Sequence, residues 1–190
     1  MNQTPTYCLF DFETSGIGDF KKQEALQLAW VICDKFMNVL HKYSFYFQEI
    51  NEINQEFHKD VVLKDVKKYG APRKMILEYF LNDIHKIIES NGKIIAHNID
   101  FDWQILQNEC QKEKISIPKT AYPLLYCTMK RSVNMCRIPK THASGNKYPK
   151  LCELYKYLFG EDPEVVLHEA GNDVEVMRRC VPYVLGFNLK

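Results

Sequence analysis

The 190-residue sequence has no stretch of about 18 consecutive apolar residues, so it offers no membrane-spanning helix and no membrane partner is expected. Its first residues, Met1-Asn2-Gln3-Thr4-Pro5, lack the basic-then-apolar order of a secretory leader, and the expected location is intracellular, in the cytoplasm. There is no Cys-x-x-Cys pair. The seven cysteines (Cys8, Cys33, Cys110, Cys127, Cys136, Cys152, Cys180) are scattered and odd in number, which indicates neither a zinc site nor a disulfide framework. Most are expected as reduced core residues. Net charge is also nearly absent, at +1. Apolar and aromatic side chains are plentiful, 46% and 13% of residues, enough for one folded domain over 1–190 with a sizeable core.

The small net charge conceals an asymmetry. Between Gln111 and Lys150 stand nine basic residues (Lys112, Lys114, Lys119, Lys130, Arg131, Arg137, Lys140, Lys147, Lys150) and one acid, Glu113, so the rest of the chain is net acidic. Such a segment suits either a lysine-rich solvated surface or a guide for a polyanion.

The most informative stretch is Cys8-Leu9-Phe10-Asp11-Phe12-Glu13-Thr14. An apolar run leads into two carboxylates two residues apart and then into Ser15-Gly16-Ile17-Gly18, the pattern of a buried strand with an acidic tip and a turn. Alternation puts Asp11 and Glu13 on one face and Phe10 and Phe12 on the other. Two carboxylates held that close repel unless a proton or a cation sits between them, and hard oxygen donors favour Mg²⁺ or Mn²⁺. Taken alone, an Asp-x-Glu pair is more often an edge strand with solvated acids, so the metal reading depends on further acids downstream.

Residues 25–33 and 40–47 read as two more strands around a hairpin-length connection. Residues 50–70 read as irregular with a short helix, anchored by Ile53, Phe57, Val61, Val62 and Leu63. A helix opens at Pro72, carries Ile76, Phe80, Ile84, Ile87 and Ile88 at helical spacing, and closes at Asn91-Gly92. Residues 93–96 form a short strand that runs into His97-Asn98-Ile99-Asp100-Phe101-Asp102, where Asn98 is placed to cap a helix through about Glu113. At about 100° per residue, Asp102 and Glu109 share the apolar arc of Ile99, Phe101, Trp103, Ile105, Leu106 and Cys110, whereas Asp100 falls with Gln104, Gln107 and Gln111. An acid on a buried face needs a partner such as a metal.

Residues 124–127 suggest another strand, the basic segment a loop through Ser144-Gly145-Asn146, and residues 149–159 an amphipathic helix ended by Gly160. The last helix starts near Glu169, sets Asp173 in a stripe with Val176, Met177 and Cys180, and is ended or kinked by Pro182. His168 is about 140° out of phase with Asp173, so it is expected just ahead of that helix, on a segment loosened by Gly171. Asp11, Glu13, Asp102 and Asp173 then come from three separate elements, each aimed inward. Four acids buried together imply about two divalent cations, the apparatus of in-line displacement at phosphorus. Histidine is the residue type suited to accept a proton from water near neutral pH.

The segments FDFET (10–14), HNIDFD (97–102) and HEAGND (168–173) resemble, in order and spacing, the three motifs of the DnaQ-like, or DEDDh, 3′–5′ exonucleases. CTM (127–129) with YPKLCELYKYLFG (148–160) is also similar to members of that family, so the likeness covers nearly the whole chain. It implies an α/β, RNase H-like fold: a five-stranded mixed sheet flanked by helices, the first strand central and the second antiparallel to it. It implies that Asp11, Glu13, Asp102 and Asp173 hold two Mg²⁺ (or Mn²⁺) ions, with Asp11 bridging them and His168 as general base. The turn Thr14-Ser15-Gly16-Ile17 would hold the terminal 3′ hydroxyl through backbone amides and wedge Ile17 against the last base, while Asn98 and Phe101 shape the terminal nucleotide pocket. Gln27 departs from the pattern, since many relatives carry a Glu there.

The activity so implied is release of nucleoside 5′-monophosphates from a single-stranded 3′ end, of DNA first and RNA as the alternative, in proofreading or end trimming. A DNA polymerase is a candidate partner. The rival of another class is a non-catalytic nucleic-acid-binding or polymerase-docking subunit, which has no use for four buried acids. Lys130, Arg131, Arg137 and Lys140 are expected to guide the strand.

Overall fold

Alternation along the first strand divides the molecule into two faces. The computed structural model describes residues 4–16 and 23–187. In it β1 (Tyr7–Thr14) is the middle strand of a five-stranded sheet with β2 (Ala25–Cys33), β3 (Val39–Tyr46), β4 (Lys93–Ala96) and β5 (Leu125–Cys127), in the order β3-β2-β1-β4-β5. β2 runs antiparallel to both β1 and β3, while β1, β4 and β5 are parallel. This is the RNase H-like arrangement that the resemblance implies.

Helices cover both faces: α1 (Leu63–Tyr69), α2 (Arg73–Glu89), α3 (Ile99–Lys112), α4 (Thr128–Arg131), α5 (Val133–Cys136), α6 (Leu151–Phe159) and α7 (Ala170–Val184). Cys8, Phe10 and Phe12 point with Leu28, Trp30 and Ile32 into the larger core, filled from the other side by Ile76, Phe80 and Ile84 of α2 and Trp103 and Leu106 of α3. Leu9, Ala29, Val31 and Ile95 point the opposite way, onto Val174, Met177 and Val181 of α7. Each such large side chain contributes about 1.5–3 kcal/mol on burial, and β2, covered on both faces, is buried at all nine positions. The face of Leu9 is also that of Asp11 and Glu13, so α7 and the acids meet on one side of the sheet.

Several local expectations are corrected. The basic segment is not a loop from its start: Cys127 Sγ accepts the Lys130 N–H at 3.5 Å at the head of α4, α5 follows, and a left-handed Arg137 (φ 50°) ends it. A 3₁₀ turn, Lys119–Leu124, precedes β5. Pro182 neither ends nor visibly interrupts α7, which continues to Val184, with the Phe187 N–H on the Pro182 carbonyl at 2.8 Å. Phe57 and Val62, expected as anchors, are 62% and 52% exposed, whereas Ile53, Val61 and Leu63 pack on the core. Among the described residues no helix is long and apolar enough to cross a membrane.

Candidate active site

The site is built where the pairing of β1 runs out. β1 and β4 are in register only from Tyr7 to Leu9, so beyond that point the β1 backbone needs other partners. The Phe12 N–H finds one in Asp102 Oδ1, at 3.2 Å, which docks the first turn of α3 on the tip of β1. Asp102 is thereby 3% exposed, on the apolar face that its periodicity assigns it. The Asn98 side chain does not cap α3 as expected; it is exposed, and only its carbonyl accepts, from the Phe101 and Asp102 N–H groups. Backbone N–H groups of Phe12, Asp102 and Asn98 favour the charged form of the Asp102 carboxylate.

α7 supplies the rest. Its N-cap is Glu169, and His168 immediately before it is left-handed (φ 70°), which turns the His168 N–H onto both Asp173 carboxylate oxygens at 3.3 and 3.4 Å. One ligand atom each of Glu13, His168 and Asp173 then lies within 4.8 Å of the others. Gly171 does not loosen a segment ahead of the helix; it is buried inside α7.

Electrostatics distinguish these acids from the others. Burial, and then the charges of Asp102, Asp173, Glu13 and Glu169, hold the Asp11 carboxyl well above its ordinary range. Burial, and then the charges of Asp173, Asp102 and Glu169, push Glu13 up to about 8, and burial raises Asp102 to about 7 and Asp173 to about 6 against the hydrogen bonds that favour their charged forms. Among the described residues no Lys or Arg pairs with any of the four. Glu109, the other acid on the buried face of α3, has its cation: Arg73 Nε at 2.7 Å. A set of carboxylate oxygens with one imidazole, repelling one another and lacking a cation among the described residues, suits a divalent ion, and Mg²⁺ or Mn²⁺ by ligand hardness.

The turn after Glu13 is braced from outside the motif. Ser15 N–H donates to the Glu24 carbonyl at 2.8 Å, Asn54 N–H to the Ser15 carbonyl at 2.9 Å, and His58 Nε2 lies 2.9 Å from the Thr14 carbonyl. The Ser15 amide is thus already engaged, and Gly16 is left-handed (φ 65°). Ile17 lies outside the described residues. Phe101 is partly buried against the core. The Phe57–Asp60 turn and the 166–172 segment enclose a cleft of about 370 Å³ with His168, Tyr46 and His58 on its walls. Sequence reasoning missed His58 and Asn54; the segment holding them shows no periodicity.

His97, from the second motif, explains why distant motifs travel together. Burial pushes its imidazole down to about 4, so it is neutral, with Nε2–H donated to the Pro149 carbonyl and Nδ1 accepting from Thr128 Oγ1, both at 3.0 Å. It pins the start of the basic segment and the approach to α6 beside α3. In the basic segment Lys130 pairs with the exposed Asp100 of α3, Arg131 lies 5.4 Å from the Tyr126 ring, Arg137 Nε donates to the Asn134 carbonyl, and Lys140 is exposed.

Fold and site together define an α/β domain of RNase H-like fold with an acidic, histidine-flanked centre at the tip of its middle strand. Solved structures of exonuclease I share the fold. The apo form is 14% identical with a TM-score of 0.71 over 96% of this chain. The E. coli enzyme with a dT13 oligonucleotide gives 14%, 0.71 and 96%, and with a dA16 oligonucleotide 16%, 0.69 and 94%. This chain spans 41% to 42% of the length of those proteins. No protein-family model matches the sequence, and no curated protein matches it.

Proposed function

We propose that this chain is a metal-dependent 3′–5′ exonuclease that releases nucleoside 5′-monophosphates from single-stranded DNA. The observation that carries the reading is the convergence of Glu13, His168 and Asp173 ligand atoms within 4.8 Å, with Asp11 and Asp102 in electrostatic contact beside them. Asp11, Glu13, Asp102 and Asp173 would hold two divalent ions. Bound there, such ions lower the pKa of water and neutralise charge on a phosphate under attack. His168, exposed at the edge of the cluster, takes the proton of the attacking water. Asp173 orients it through the His168 N–H. The cleft beside His168 and the turn at Thr14–Gly16 receive the terminal nucleotide, with Asn98 and Phe101 on the α3 side. DNA is the favoured polymer because the structurally similar exonuclease I is known in complex with dT13 and dA16. Proofreading or end trimming, alone or beside a polymerase, is the role this chemistry serves.

Digestion of 5′-labelled single-stranded DNA and RNA of one sequence tests the reading. Stepwise shortening with Mg²⁺, stopped by chelator and faster on DNA, is expected. Faster RNA shortening would reassign the sugar, and retained binding without cleavage would make the chain a docking module. The exposed cations of the basic segment make a separate prediction. Replacing Lys130, Arg131, Arg137 and Lys140 together by alanine should weaken single-strand binding and reduce the slope of log K against log salt by about 2 to 3, at about 0.7 per phosphate contact. Unchanged affinity and slope would remove this segment from the strand's path.

A further inference from the structure

Gln27 stands directly across from Glu13 in the antiparallel register of β1 and β2, on the face that carries α7. It is 2% exposed, and a carboxamide buried to that degree must satisfy both its ends. Its Oε1 accepts the Ala170 N–H at 3.1 Å; its Nε2 donates to Ser44 Oγ at 2.9 Å and to Glu169 Oε1. The other Glu169 oxygen accepts the Asn172 N–H at 2.8 Å and so closes the N-terminus of α7. The amide has one possible orientation. A carboxylate before one end demands the NH₂ group, and a backbone N–H before the other demands the oxygen.

Two further features belong to this arrangement. The Glu169 carboxylate lies over Gly171, where an added Cβ would come within 3.1 and 3.2 Å of its oxygens. And the residue just before Glu169 is the left-handed His168, a conformation that a non-glycine residue keeps only where its surroundings over-determine it.

We propose that Gln27 and Glu169 are a positioning pair: they lock the His168 turn onto β2 and so set the separation between Glu13 on the sheet and His168 and Asp173 on the α7 side. We assign neither as a metal ligand: both Glu169 oxygens and the Gln27 oxygen already accept hydrogen bonds within the chain. In its catalytic consequence the inference rests on the nuclease reading above. Gln27→Glu sets two carboxylates against each other and disturbs the turn. Adding Glu169→Gln restores the bond with donor and acceptor exchanged, while the second oxygen of the carboxylate introduced on β2 still accepts from the Ala170 N–H.

Two measurements test the pair. In turnover on single-stranded DNA, Gln27→Glu should lower kcat by about 100-fold, the scale of a misplacement of about 1 Å, with KM within about threefold. The double variant should return to within about tenfold of wild type, because the two sites are directly coupled. A double variant no better than the product of the two single losses, or a Gln27→Glu enzyme equal to wild type, overturns the inference. In metal-free protein, Gln27→Ala should speed amide exchange at Ala170 by about tenfold, the value of one hydrogen bond, and leave Met177 unchanged. Equal exchange at Ala170 in variant and wild type overturns it as well. Should wild type cleave nothing, the nuclease reading falls, and the exchange measurement alone decides this inference.

Discussion

Asp11→Ala should lower the rate of 3′-end shortening by about 10³-fold or more. Asp11 lies within electrostatic reach of Asp102, Asp173 and Glu13, the other three acids of the proposed metal set. On the proposed mechanism its loss removes several kcal/mol of transition-state charge stabilisation, at about 1.4 kcal/mol per factor of ten. The fold should survive. Phe10 and Phe12 on either side keep their places in the larger core, and the substitution removes a charge that its surroundings disfavour. Circular dichroism and single-strand binding should therefore match wild type while digestion stops. Activity within tenfold of wild type would remove Asp11 from the reaction.

Dependence of stability on pH and Mg²⁺ should be large and of definite sign. Glu13 near 8, Asp102 near 7, Asp173 near 6 and Asp11 well raised all titrate above the ordinary carboxyl value of about 4. The metal-free folded chain therefore holds protons that the unfolded chain has released, and the slope of stability with pH is negative over that interval. Stability from these groups is complete below about pH 4 and is lost as pH rises through about 6 to 8. On the proposed function a divalent ion takes the place of those protons. At 100 times its dissociation constant it contributes about 2.7 kcal/mol, roughly 5 to 10 °C in Tm for a chain of this size. The Tm gain from Mg²⁺ over chelator should thus be small at pH 5 and grow toward pH 8, and Asp11→Asn should raise the metal-free Tm at pH 8 while reducing that gain. A gain independent of pH would mean that Mg²⁺ binds elsewhere.

What could be read from the sequence was local and periodic. Alternation of period two placed Asp11 and Glu13 opposite Phe10 and Phe12, and a period of 3.6 placed Asp102 and Glu109 inward and Asp100 outward. The structure then separates the two inward acids by what faces them: Arg73 for Glu109, and the other carboxylates for Asp102. That distinction depends on α2 packing on α3, a contact between residues far apart in sequence. The same limit hid the role of Gly171, whose space is occupied by Glu169, and of His58, which reaches the Thr14 carbonyl across 44 residues. Asn98 is a residue type that commonly caps helices, but its side chain is exposed and makes no cap, while the Asp102 carboxylate four residues on accepts the Phe12 N–H. The short helices α4 and α5 carry too few residues to show a period.

The most direct test is the fate of a label placed on the 3′-terminal nucleotide of single-stranded DNA. With Mg²⁺ the label should leave at the first turnover as a nucleoside 5′-monophosphate, before any shorter internal fragment forms, and should stay in place with chelator or in the Asp11→Ala chain. Release first as an oligonucleotide, or release that persists in chelator, would contradict a metal-dependent exonuclease acting from the 3′ end.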